Sequence, residues 1–244
     1  MSDSYVYRPL SGLTRVVVVL LILGVASSAV DTYSSYQQLA MLKRANFSPA
    51  EAEANDNRQQ ATGIVSLVIR LVTVVGFGMW IVRANRNVRA IGARSLPIKP
   101  GWAVGYFFVP ILGLYRPYQA MRDLTKASRN PQKWRNAPAS LVLPLWWTFW
   151  LISNFVHQIS LRMTLAAKDV PSLRDATNVE LVAELTEFPL CLTAIVLVLL
   201  VTRLQETSFA SFTTEEWPAD HWKGAAREDD AHRSTSEDDD RFIT

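Results

Sequence analysis

Residues 61–82 read ATGIVSLVIRLVTVVGFGMWIV, and RANRNVR follows at 83–89. As a helix at 1.5 Å per residue, the first run reaches about 33 Å, enough to cover the hydrocarbon of a bilayer. One charge, Arg70, interrupts it, and Arg83, Arg86 and Arg89 close it at three-residue spacing. An apolar run of this length with a basic end is a membrane span whose basic end faces the cytoplasm.

Three further runs resemble it in length and in exclusion of charge: Leu13–Val30, Leu141–Leu161 and Phe188–Val201. The last reaches spanning length if it extends to about 185–202. The expected fold is therefore an all-α integral membrane protein with four transmembrane helices, at about 13–30, 61–82, 141–161 and 185–202. These lie in a membrane domain over 13–203, with a cytoplasmic N-terminus at 1–12. Arg8 and Arg15, then Val16–Ala26 and the small residues Ser27, Ser28 and Ala29, also fit a cleavable signal peptide. The run is long for that role, which favours a retained helix.

Charge sets the expected orientation. Residues 83–135 carry eleven Lys and Arg against a single acid, Asp123. The connectors 31–60 and 162–187 are acidic on balance. Basic loops stay in the cytoplasm, so both acidic connectors lie outside and both termini inside. The net charge of +3 hides this asymmetry.

Residues 101–115 are apolar but short, with Pro110 inside. A helix of this length reaches only about 22 Å, so the segment reads as re-entrant or interfacial. A fifth span would leave one strongly basic flank outside. Residues 116–129 place Arg122, Lys126 and Arg129 opposite Ala120, Leu124 and Ala127, the pattern of a basic amphipathic helix at a membrane surface. From Gln205 onward eleven acids face four bases with few aliphatics, so 204–244 reads as a disordered acidic cytoplasmic tail. Within it Trp217 and Trp222 are the residues most suited to a partner or the membrane surface.

Two groups of residues could form sites. Thr62, Ser66, Arg70 and Thr73 share a face of the second span, and Trp147, Trp150, Asn154 and His157 share a face of the third. Arg70 and Asn154 lie at nearly equal depth, where a charge costs at least ~2.5 kcal/mol without a partner. Gly24, Ser28 and Asp31 line up on the first span, and Glu184 and Glu187 begin the fourth. An intramembrane polar cluster of Arg70, Ser66, Asn154, His157, Asp31 and Glu187 is expected. It reads as an anion or small-polar-ligand site, or as an arginine satisfied by Asn154 and carbonyls. The second group is a head-group face at the basic end: Arg83, Arg86, Arg89, Trp102, Arg116, Tyr118, Arg122 and Lys126. Anionic membrane lipids are its natural partners.

No paired intramembrane carboxylate, nucleophile elbow, zinc-binding HExxH or phosphate loop is present, so no catalytic residue, metal or cofactor is expected. Cys191 is the single cysteine, and one membrane histidine excludes a bis-histidine haem within the chain. Nucleic acid is not an expected partner, because the basic belt is tied to the membrane plane.

The stretches RANRNVRAIG (83–92), PGWAVGYFFVP (100–110), LYRPYQAMR (114–122), Trp134 and LWWTFWLISN (145–154) resemble a bacterial membrane family known as domain of unknown function 4328, over roughly residues 60–205. The resemblance implies an inner-membrane protein with four or five membrane segments and no assigned activity. Gly101 and Gly105 are expected to permit close backbone approach there. The functional expectation is a non-enzymatic scaffold or regulatory membrane component, with a protein partner on the tail and self-association both open. The alternatives are a small oligomeric transporter or channel subunit, and a lipid-acting enzyme at the cytoplasmic face.

Overall fold

The computed structural model describes residues 5–44 and 46–216, with side-chain surroundings through residue 211. Among the described residues the chain is helical and contains no strand. The helices are α1 (Ser11–Leu42), α2 (Pro49–Ala90), the short α3 (Trp102–Gly105), α4 (Arg116–Arg129), α5 (Val142–Ala166) and α6 (Val170–Glu216). Three of them, α1, α2 and α6, are long and apolar enough to span a membrane. At 25 residues α5 would also reach about 37 Å. Its hydropathy is lowered by Trp146, Trp147 and Trp150 and by Asn154, His157 and Gln158.

The long helices overrun the expected spans. α1 continues past Val30 to Leu42, and α2 begins at Pro49, well before Ala61. The start of α2 is a capping box: the Ser48 hydroxyl accepts from the Glu51 backbone N–H, and the Glu51 carboxylate accepts from the Ser48 N–H at 2.8 Å. Pro49 occupies the first turn, where no N–H is needed. The Arg44 guanidinium pairs with Glu51 at 2.8 Å across the hairpin. The Ser48 amide first, and then Arg44, hold the Glu51 carboxyl below its usual range.

α2 packs on α1, α1 on α6, and α6 on α5. The four therefore form a row with α2 and α5 at its two ends, and these two meet through side chains, Phe77 with Trp146 at 5.9 Å and Arg70 with His157 at 3.5 Å. Where α1, α2 and α6 extend together at the hairpin end, they share a polar core of amides and hydroxyls, edged by the Arg58 guanidinium. Gln38 is its hub: its amide donates to Thr177 Oγ1 at 2.8 Å, and its carbonyl accepts from Asn55 at 3.1 Å and Gln59 at 2.7 Å. Ser34 donates to Gln59 at 3.1 Å, and Arg58 donates to Asn55 at 2.6 Å.

The opposite, basic end is packed with apolar side chains. Leu10, Trp80, Ile81, Met121, Leu124, Leu143 and Leu197 are buried there. α1 is tied into this core: Thr14 shares a 2.7 Å hydrogen bond with Thr202 and accepts from the Trp80 indole at 3.1 Å. α4 buries Ala120, Leu124 and Ala127, the apolar face expected from its sequence, against α6, α2 and α5. Gln205 is fully buried and donates to Ala84 O and Ser128 Oγ, both at 3.0 Å. α6 thus remains helical to Glu216 and packs on α4, so disorder does not begin at residue 204. Residues 217–244, with Trp217, Trp222 and most of the expected tail, lie outside the described residues.

Residues 101–115 form no single helix. α3 and a 3-10 turn (Tyr106–Phe108) lead to a reversal at Pro110–Leu112, and a second 3-10 turn (Leu112–Leu114) leads out. Leu112 N–H donates to Pro110 O at 2.7 Å, and Ile111 has φ +66° and ψ −55°, a strained γ-turn for a β-branched residue. The close approach expected at Gly101 is not found, since a Cβ there would meet nothing within 4 Å. At Gly105 the nearest group is the Trp102 ring at 3.3 Å. The glycine that this reversal requires is Gly113, where a Cβ would lie 3.1 Å from Tyr106 O.

Candidate functional site

Arg70 lies on α2 at an i, i+4 step from Ser66; Ser66 meets α1, and Arg70 reaches α5 and α6. On α5 the same step sets Ser153 against His157. On α6 Glu184 and Glu187 are three residues apart and face the gap between α5 and α1. The row of helices wraps these side chains around a cavity of about 400 Å³. Val104, Phe107 and Phe108 of the reversal line it toward the basic end, with Phe77, Trp146 and Trp150 beside them. The side bridged by side chains alone lies between α2 and α5.

The charged groups are spaced rather than clamped. Arg70 Nη2 is 3.5 Å from Glu187 Oε1 and 3.5 Å from His157 Nε2. His157 Nε2 is 3.8 Å from Glu184 Oε1, and Nδ1 is 3.8 Å from Glu187 Oε1. The Arg70 side chain is 49% exposed, against 14% for Glu187. Each carboxylate instead takes a short hydrogen bond from a serine. Ser28 donates to Glu184 at 2.7 Å, Ser153 donates to Glu187 at 2.7 Å, and Ser66 donates to Asp31. Ser27 and Ser66 share a further 2.7 Å bond that joins α1 to α2.

Five of the six residues expected in the cluster converge: Arg70, Ser66, His157, Asp31 and Glu187. Asn154 lines the same cavity, but its amide donates to Trp150 O at 2.7 Å on its own helix and does not satisfy Arg70. Trp150 of the aromatic lining shares the face expected for Asn154 and His157, whereas Ser27, Ser153, Phe77, Phe107 and Trp146 were not picked out from the sequence. The i, i+4 relation of Ser153 to His157 was the available signal. The charge balance runs against an anion, because Asp31, Glu184 and Glu187 outnumber Arg70.

The residues of the basic end do not meet in this cavity. Most of them have a local partner. Arg89 donates to Ile98 O at 2.6 Å, Arg122 pairs with Asp123 at 2.9 Å, and Lys126 donates to Arg135 O at 3.4 Å. Arg116 lies 5.9 Å from the Tyr106 ring and 5.6 Å from the Tyr115 ring. Tyr118 packs on Trp147 and Trp102 on Tyr106. Arg83 is half-buried and Arg86 exposed. The set is spread over a surface rather than gathered at a point.

No curated protein and no solved structure matches the chain. A family model does, and the match takes in α2, α4, α5 and most of α6, with Arg70, His157, Glu184 and Glu187, while Asp31 and Ser28 on α1 fall outside it. Over residues 43–203 the chain matches the model described as Domain of unknown function (DUF4328), and it belongs to that family.

Proposed function

We propose that this chain is a non-enzymatic regulatory component of a bacterial inner membrane that works by binding a small ligand in the cavity between α1, α2, α5 and α6. In this reading α5 is a fourth span, residues 101–115 re-enter from the cytoplasmic face, and both termini are cytoplasmic. The basic end, with Arg83, Arg86, Arg116, Arg122 and Lys126, meets anionic lipid there.

The observation that carries the reading is a space of about 400 Å³ lined by charged side chains from four helices, at a depth where an unpaired charge is costly. A bundle built only for packing would close such a space with apolar side chains. Pockets of this size, mostly apolar with a few convergent polar groups, are the usual form of small-ligand sites.

Topology is tested in whole cells with Cys191 replaced by alanine and single cysteines placed at Arg44 or Arg129. A membrane-impermeant maleimide should label the first and spare the second, and the reverse labelling overturns the orientation. Ligand binding is tested by screening small cations, anions and neutral molecules for a raised melting temperature in nanodiscs. A screen in which none raises it counts against the function. The side between α2 and α5, bridged by side chains alone, favours a second reading, a transporter subunit completed by another copy of the chain. A cross-link between cysteines at Leu71 on two copies would support it, and a strictly monomeric chain in the bilayer would remove it.

A further inference from the structure

The sign of charge in the cavity identifies the class of ligand. Three carboxylates, Asp31, Glu184 and Glu187, face one permanent cation, Arg70, and one imidazole, His157, so the acids outnumber the bases whether or not His157 is protonated. The three acids come from two helices, and each is held by a serine hydroxyl from a neighbouring helix, so their oxygens are oriented rather than merely crowded. Arg70 does not neutralise them in a tight pair. Its nearest contacts are 3.5 Å, and half of its side chain remains exposed.

A second feature is independent of the acids. Toward the basic end the cavity is lined by aromatic rings, Phe77, Phe107, Trp146 and Trp150. Aromatic faces carry negative quadrupoles and attract cations, more strongly when water is excluded. Carboxylates at one end and rings at the other suit a molecule with a positive head and an apolar body. Arg70, half exposed beyond the Phe77–Trp146 contact, marks the side from which such a molecule would enter.

We propose that the cavity binds a lipophilic organic cation, an ammonium group with an apolar substituent, and that Glu184 and Glu187 are its counter-charges. The inference rests on the ligand-binding reading above and deepens it. The ammonium could belong to a free amine or to a lipid head group.

The test uses the full chain in nanodiscs of phosphatidylglycerol, which carries no ammonium. Three probes of the same size range are titrated by calorimetry: benzyltrimethylammonium, its neutral isostere neopentylbenzene, and the anion phenylacetate. The ammonium should bind best, by about tenfold or more over the isostere, as for one charge-assisted contact. Glu187→Gln should weaken it about tenfold, whereas Arg70→Gln, which removes the competing cation, should tighten it. Misfolding cannot produce that tightening. Adding phosphatidylethanolamine to the discs separates the two sources. Competition with the probe assigns the site to a lipid head group and its absence to a free amine, and either result upholds a cation site.

Equal binding of neopentylbenzene, preference for phenylacetate, or Glu187→Gln and Arg70→Gln variants that bind the ammonium like the parent would each overturn the proposal while leaving a ligand site standing. Binding of none of the three probes would overturn it together with the ligand-binding reading.

Discussion

The molecule has two polar interiors on the same three helices, and they are built in opposite ways. At the hairpin end α1, α2 and α6 meet through the amides of Gln38, Asn55 and Gln59 and the hydroxyl of Thr177, in direct bonds of 2.7–3.1 Å. About two to three helical turns further along these helices, where α5 joins them, Arg70, His157, Glu184 and Glu187 stand 3.5–3.8 Å apart around an open volume. Neutral amides both donate and accept, so a few of them can satisfy one another completely and leave no room. Carboxylates only accept, and three of them outnumber the guanidinium of Arg70 and the imidazole of His157 beside them. The first interior is built for cohesion, and the second keeps a vacancy in the packing.

That contrast can be broken by mutation. Gln38→Leu removes the acceptor of the Asn55 and Gln59 amide N–H groups and the donor to Thr177, although each residue keeps another bond, and should cost about 3 kcal/mol of stability, at about 1–3 kcal/mol for each buried polar group left unpaired. Thermal or denaturant unfolding in a mild detergent measures it. Ser28→Ala removes one hydroxyl from Glu184 and should cost only about 1 kcal/mol. If Ser28→Ala proves as costly as Gln38→Leu, the charged cluster is structural and the contrast fails. Ser48→Ala, at the cap of α2, should cost about 1 kcal/mol or less, read in the same way.

The smallest effect sharpens the comparison through one titrating group at the hairpin, Glu51. The Glu51 carboxyl is held below its ordinary value of 4.5 by the Ser48 amide and by Arg44. Its contribution is therefore fully present above that value and is lost as the pH falls through the lowered one. The difference in melting temperature between the parent chain and Glu51→Gln should shrink toward zero between pH 5 and about pH 3. A difference that persists at pH 3 would mean that the capping box does not depend on the charge.

Much of the cluster was legible before any coordinates. Arg70 and Ser66 on one face, His157 on another, and Asp31 and Glu187 at the span ends follow from helical spacing and from depth. Asn154 lines the cavity, but its amide does not reach Arg70, because a side chain at the right depth can still be taken up by its own helix, here by Trp150 O. The overrun of α1 and α2 into the hairpin was legible too, since Ser48, Pro49 and Glu51 form a start signal, but the hydropathy pattern drew attention to residue 61 instead. The misplaced glycine, Gly101 for Gly113, shows the limit of motif reading. Close approach depends on which carbonyl folds back onto the chain, here that of Tyr106.

By itself the sequence determined the helical class, the three strongest apolar helices and the concentration of basic charge at one end. These are properties of single segments, set by length, composition and periodicity. The tertiary structure decided which helices are neighbours, that α2 and α5 stand at the ends of the row, and that three acids share one space with one arginine. The physical reason is that lipid tails and the interior of a helical bundle are almost equally apolar. A face turned to lipid and a face turned to another helix therefore read alike until the helices are set side by side.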